Sequence, residues 1–340
     1  MSAEKLTVWR RFGLAVAGIF FLVICVAILP ADSSGPSSGP ATPEPATSGS
    51  AASGSTTSER DTGFETLVGN YTAERFGDSI QIWLRMADRF HFSTRIPAAA
   101  FKPRADGFVE VRRAAGAFVL RRFDLNAAGK QAGRYTFEPD PAFVDALAER
   151  GHTEPQDLQL FQLAAHDVTL RYLDELAELG YRENLQGLIE MRTHGVGASY
   201  IRDFIALGYS DLSARRLVEM RIHGVNAEAV RELVALGYAD LSPQRLIELR
   251  IHGVDPSWIG ELATLGYGDL SAQRLVEMRI HGVDPEWVRE LQDLGYGDDA
   301  ISARQLVEMR IHGVEPEWIR ELGEPRPSAR QLIERRIHGG

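Results

Sequence analysis

The chain has a single cysteine among its 340 residues, Cys25. That leaves no disulfide framework and no cysteine set of the kind that grips a structural zinc. The short strings of common catalytic machinery are missing as well. There is no His-Glu-x-x-His, no Gly-x-Ser-x-Gly and no phosphate-cradling glycine loop, and the one Ser-x-x-Lys, Ser2 to Lys5, lies at the extreme N-terminus. Positive charge is not in excess: the formal net charge is −10 at pH 7. Nucleic acid is therefore not expected as a partner on electrostatic grounds. With no catalytic residue, cofactor site or metal site to nominate, the chain reads as a non-enzyme.

What is present begins with one long apolar run. Residues 12–29 (FGLAVAGIFFLVICVAIL) carry no charge over 18 positions, and residues 1–11 before them hold Lys5, Arg10 and Arg11. A helix needs about 17 to 25 apolar residues to span a bilayer. The basic flank places residues 1–11 in the cytoplasm and the remainder outside. A cleaved signal peptide is the competing reading, but a cut after Ala31 puts Leu29 at the −3 position, where a small residue belongs. Lipidation at Cys25 is poorly served by the bulky Ile24 before it. The expectation is a single-pass inner-membrane anchor whose C-terminal region is periplasmic or extracellular. Residues 30–59 are almost wholly Ser, Gly, Pro, Ala and Thr. Such a composition cannot bury a core, and a disordered tether is expected.

Residues 60–142 change period. In SIQIWLRM (79–86), Ile80, Ile82 and Leu84 alternate with Gln81, Trp83 and Arg85, the pattern of a strand with one buried face. FVEVRR (108–113), AFVLRRF (117–123) and GRYTFE (133–138) follow at short spacing, and an antiparallel meander is expected. Residues 60–138 carry 13 Lys or Arg against 9 Asp or Glu. The cluster Arg112, Arg113, Arg121, Arg122 and Arg134 reads either as a site for an anionic ligand or as a solvated strand face.

Residues 143–340 are helical and repetitive. LVEMRIHGV stands at 217–225, 275–283 and 306–314, with LIELRIHGV at 246–254. Tyr181, Tyr209, Tyr238, Tyr267 and Tyr296 are spaced 28, 29, 29 and 29 apart, the mark of a tandem array. Each copy parses into two helices. From Asp269 onward, Ser271 serves as N-cap of AQRLVEMRIH and Gly282 closes it in the left-handed conformation. Asp284 caps the second helix, Pro285 takes its first position, Gly295 ends it and Tyr296 folds back on its last turn. Trp287, Val288, Leu291 and Leu294 share one stripe. One hairpin cannot bury that stripe alone, so the copies are expected to stack as an α-solenoid. The fold class expected for the whole chain is α+β: a transmembrane helix, a small antiparallel β domain and a solenoid of 29-residue hairpins.

On the first helix of a copy, a helical wheel advancing about 100° per residue gathers Leu217, Val218, Met220 and Ile222 into one apolar arc. Arg221 falls inside that arc, between Leu217 and Val218, and Arg250, Arg279 and Arg310 repeat it. These arginines read as a ladder for carboxylates or phosphates, or as apolar stems whose heads pair with a glutamate of the next copy. Tyr200, Ala229, Trp258, Trp287 and Trp318 share one position at the start of the second helix, either stacking on a partner or wedging copies together. Arg221, Arg250, Arg279, Arg310, Trp258, Trp287 and Trp318 are the candidate partner-binding residues. The histidines recur once per copy, and packed helices about 8 to 10 Å apart hold them too far apart to share a metal.

GAFVLRRFDLNAAGKQAGRYTFEPDPAFVDALAERG (116–151), followed by copies of the type LVEMRIHGVNAEAVRELVALGY, resembles the C-terminal extracytoplasmic region appended to some bacterial membrane metallopeptidases of the beta-lactam-sensing antirepressor type. The resemblance spans roughly residues 63–340. The multi-span peptidase part and its zinc motif have no counterpart here, and no catalytic residue carries over. What the resemblance implies is a sensory or partner-binding exterior without the enzyme. The expectation is a membrane-tethered envelope module that binds a protein or peptide. The alternatives are a regulatory subunit of a separately encoded peptidase and a nucleic-acid-binding helix-hairpin-helix protein. The last wants Gly-x-Gly between its helices, which only Gly195 and Gly197 provide.

Overall fold

A computed structural model describes residues 67–86, 90–121, 123, 129–297, 301–323 and 326–339. The expected cytoplasmic segment, membrane anchor and tether lie outside the described residues, as does Arg122. Among the described residues no helix is long and apolar enough to cross a membrane. The chain is α+β, a curled antiparallel sheet followed by helices.

Among the described residues the seven strands are β1 (Leu67–Phe76), β2 (Ser79–Met86), β3 (Phe90–Pro97), β4 (Phe101–Pro103), β5 (Val109–Arg113), β6 (Gly116–Leu120) and β7 (Lys130–Pro139). In β2 the alternation holds: Ile80, Ile82 and Leu84 are buried while Trp83 and Arg85 face out. The sheet order is β3-β2-β1-β7-β6-β5-β4. This is not one continuous meander. After β3 the chain makes a short 3-10 turn at Ala98–Ala100 and restarts at the far edge with β4, so two meanders meet where β1 pairs with β7. That seam has a physical basis in two glycines. Gly69 pairs with Tyr135 and Tyr71 with Gly133, and each ring lies over the glycine opposite it. A Cβ on Gly69 would come within 2.6 Å of the Tyr135 ring, and one on Gly133 within 2.8 Å of Tyr71.

Among the described residues fourteen helices follow. They are α1 (Pro141–Glu149), α2 (Asp157–Ala165), α3 (Leu170–Glu178), α4 (Leu185–Thr193), α5 (Ala198–Ala206), α6 (Ala214–Ile222) and α7 (Ala227–Ala235). Then come α8 (Pro243–Ile251), α9 (Pro256–Thr264), α10 (Ala272–Ile280), α11 (Pro285–Asp293), α12 (Ala303–Ile311), α13 (Pro316–Leu322) and α14 (Ala329–His338). The expected punctuation is in place. Ser271 accepts from the Arg274 backbone, Asp284 from that of Trp287, Pro285 opens α11, and Gly282 has a φ of 71°. The first helix of this copy ends one residue earlier than expected, at Ile280, with His281 as its C-cap.

Even-numbered helices pack on even-numbered neighbours and odd on odd, giving two layers. The sheet joins this stack through α2, which lies against β6 and β7. Phe161 of α2 meets Phe118 and Phe137 edge-on, at centroid distances of 5.5 and 5.6 Å. One hydrophobic core consequently runs from Tyr71 in the sheet to Ile333 in the last helix.

Candidate functional surface

The arginine that the helical wheel places among apolar residues points at the preceding copy. Arg192 lies over the Tyr172 ring at 5.3 Å, Arg221 over Tyr200 at 4.7 Å and Arg279 over Trp258 at 5.2 Å. Arg310 lies over Trp287 at 5.0 Å and Arg336 over Trp318 at 4.2 Å. The ring sits on an odd-numbered helix of one copy and the arginine on an even-numbered helix of the next. The guanidinium also reaches the end of the preceding even helix: Arg192 Nε donates to the His166 carbonyl at 3.2 Å, and Arg279 Nε to that of Gly253 at 3.0 Å. Those carbonyls form the negative end of the helix dipole, which favours a cation. The expected partner, a glutamate of the neighbouring copy, is replaced by a ring and a carbonyl. Arg310 pairs besides with Glu315 of its own copy at 3.0 Å.

Trp258 and Trp287 are only 6% and 5% exposed, and Trp318 is half-buried. Their indoles therefore face the stack. Arg250 is the exception among the arginines, because the ring position below it is Ala229. It pairs with Asp255, and its Nε is buried without a partner.

A second ladder runs along the loops. Tyr181 Oη donates to the Leu212 carbonyl at 2.7 Å, Tyr209 to Leu241 at 2.7 Å and Tyr238 to Leu270 at 2.8 Å. Tyr267 donates to Ile301 at 2.9 Å and Tyr296 to Pro327 at 2.7 Å. Each acceptor is the residue just before the N-cap of the even helix one copy on. The backbone of Tyr296 does fold back, its N–H meeting the Leu291 carbonyl at 3.0 Å, while its ring reaches forward. Burial pushes the phenols of Tyr181, Tyr209 and Tyr238 up, so they remain donors.

The outer face of the even layer differs from its expected character. Ile222 belongs to the apolar arc on the wheel, yet it is exposed. The reason is length: α6 ends at Ile222, whose side chain lies at the arc's rim beyond the last packed turn. The same holds for Ile251, Ile280, Ile311 and Ile337, each more than half exposed. Beside this row stand ion pairs within single helices, Arg216 with Glu219 at 2.6 Å, Arg304 with Glu308 at 3.1 Å and Arg330 with Glu334 at 2.9 Å. His223, His281 and His312 cap the ends of the same helices and are exposed. Among the described residues no three His, Cys, Asp or Glu side chains converge as around a metal ion.

The strand arginines are not gathered into one patch. Arg113 turns inward to Asp167 at 3.2 Å, Arg112 pairs with Glu110 at 2.8 Å, and Arg121 lies over the Phe108 ring at 5.3 Å. Near Asp167, His166 packs edge-on against Phe92 at 4.7 Å and lies 3.2 Å from the Thr193 hydroxyl. Burial, with Arg192 and His194 nearby, lowers its pKa to about 4.

Fold and surface together define a stack of helical repeats joined to a small antiparallel sheet. No protein-family model matches the chain, and no curated protein matches it in sequence.

Proposed function

We propose that the chain is a non-catalytic, membrane-tethered envelope protein whose repeats, stacked as an α-solenoid of 29-residue hairpins, bind a protein or peptide partner. The observation that carries this reading is the row Ile222, Ile251, Ile280, Ile311 and Ile337, one exposed apolar side chain at the same place in successive copies. Repeated apolar exposure of this kind marks interaction surfaces. Packed helices sit about 8 to 10 Å apart. A partner segment in the polyproline II conformation advances about 3.1 Å per residue with about three residues per turn, so every third side chain returns to one face and meets one isoleucine. In this reading Arg221, Arg250, Arg279, Arg310, Trp258, Trp287 and Trp318 act inside the scaffold, fixing the spacing of the row. The membrane tether rests on residues 12–29 and on the linker at 30–59. The excess of 25 acidic over 19 basic residues in 182–340 opposes nucleic acid as the partner.

The test is a photo-crosslinking residue placed singly at Ile251, at Ile280 or at Arg289, the last on the odd layer, in the full chain in its native envelope. The two isoleucine positions should yield the same discrete adduct and Arg289 none. Equal adducts from all three positions, or none from any, would sink the reading. An adduct that proves to be a membrane metallopeptidase makes the chain its regulatory subunit.

A further inference from the structure

The tyrosine ladder has one break, and a cleft stands at it. His152 lies one repeat period before Tyr181 and occupies the tyrosine place of the first copy. Its backbone is in register: His152 N–H meets the Leu147 carbonyl at 3.0 Å as Tyr181 N–H meets that of Leu176 at 2.9 Å. The glycines before them match too, Gly151 with a φ of 85° and Gly180 with 91°. In the later copies the phenol spans the gap to the residue before the next even helix's N-cap. The corresponding residue here is Glu183, since Asn184 caps α4. An imidazole is shorter than a phenol, and among the described residues the His152 ring has no hydrogen-bond partner.

A cleft of about 500 Å³ opens at this place. Leu173, Ala177 and Leu188 give it apolar walls, while His152, Arg182 and Glu183 stand at its polar side. Arg150, where the other copies carry leucine, is bound to Asp174 through two bonds of 2.7 and 2.9 Å, so its charge is matched. Burial lowers the His152 pKa, which leaves the imidazole uncharged at neutral pH. The site is thus shaped by the repeat for a phenol, is neutral in charge at its base, and offers polar groups at its rim to flanking peptide amides.

We propose that this cleft takes the side chain of a tyrosine from a partner peptide, whose hydroxyl donates to the Glu183 carbonyl as the chain's own tyrosines donate in the later copies. The inference rests on the reading of the repeats as a peptide-binding surface and names the residue that the first copy selects. The full chain, in detergent with methyl-labelled leucine, is titrated with N-acetyl-tyrosinamide, N-acetyl-phenylalaninamide and p-cresol. The tyrosine amide should shift the Leu173 and Leu188 methyl signals saturably and bind at least tenfold more tightly than the phenylalanine amide, which lacks the donor. It should also bind at least fivefold more tightly than p-cresol, which lacks the peptide groups. His152→Tyr rebuilds the ladder and should abolish the shifts while raising the melting temperature. Ala177→Phe, filling the cleft from the other wall, should abolish them as well. Undiminished binding in either variant, or a phenylalanine amide or p-cresol that binds as tightly as the tyrosine amide, overturns the proposal. The isoleucine adducts would stand in that case, so the two readings fail separately.

Discussion

An arginine inside an apolar arc is costly unless something receives its head, and here each copy provides the receiver in advance. The ring of one copy lies under the guanidinium of the next, and a helix-end carbonyl takes the Nε–H where the geometry allows. Cation–π stacking and a charge-assisted hydrogen bond together are worth about 1 to 3 kcal/mol at a half-buried site. The position above Ala229 serves as an internal control. Arg250 has a partly exposed ion pair with Asp255 and a buried, unpartnered Nε, but no ring. Arg279→Ala should therefore lower stability in urea melts by about 1 to 3 kcal/mol, and Arg250→Ala by less than about 1 kcal/mol. Equal losses would show that the rings contribute nothing beyond filling space.

Helix ends, more than helix middles, were legible in the sequence. Serine at the N-cap, proline at the first position and glycine past the end each have a local physical cause, so Ser271, Pro285 and Gly282 announced their roles. The junction between sheet and helices was not legible, because it depends on contacts across long sequence distances. His166 is the clearest case. It recurs in the sequence as one histidine per copy, yet it is wedged against Phe92 from β3, a strand the residue pattern did not reveal. An unfolded histidine titrates near 6.5, and this one is held to about 4 by burial, Arg192 and His194. Between those values the unfolded chain binds the extra proton, so stability rises with pH there. Its contribution is complete above about pH 6.5 and is lost as pH falls toward 4. His166→Phe keeps a ring beside Phe92 and removes the titration. The fall in melting temperature between pH 7 and pH 5 should be smaller for this variant than for the wild-type chain. An unchanged fall would place the acid sensitivity elsewhere. The sheet order was hidden for a related reason: the Gly69 and Gly133 seam only makes sense once each glycine faces its tyrosine. The exposed isoleucines were misplaced because a helical wheel has no ends.

At the scale of the whole molecule, the repeat period is the length that returns the chain to the same place one layer on. Three interactions enforce it. The arginine reaches back to the ring and helix end behind it, the tyrosine reaches forward to the loop ahead, and the two helices of a hairpin fall into separate layers. A unit removed whole should leave the rest in register, since the copies present equivalent contacts to their neighbours, the ring missing at Ala229 apart. Deleting residues 240–268 joins Tyr238-Ala239 to Asp269-Leu270-Ser271, which reproduces the loop already present between Tyr238 and Ser242. It also removes α8 and α9 together, and Arg279 then faces Ala229. This shortened chain should keep a cooperative thermal transition by circular dichroism, with a lower midpoint because one aromatic stack is gone. Deleting residues 240–254 instead removes α8 alone and would set α9, an odd-layer helix, in an even-layer place. Trp258 would face solvent and Tyr238 would lose the loop carbonyl it donates to. That chain should lose its cooperative transition or aggregate. If the shorter deletion melted as cooperatively as the longer one, the hairpin would not be the unit of assembly, and the two-ladder account of the stack would fail with it.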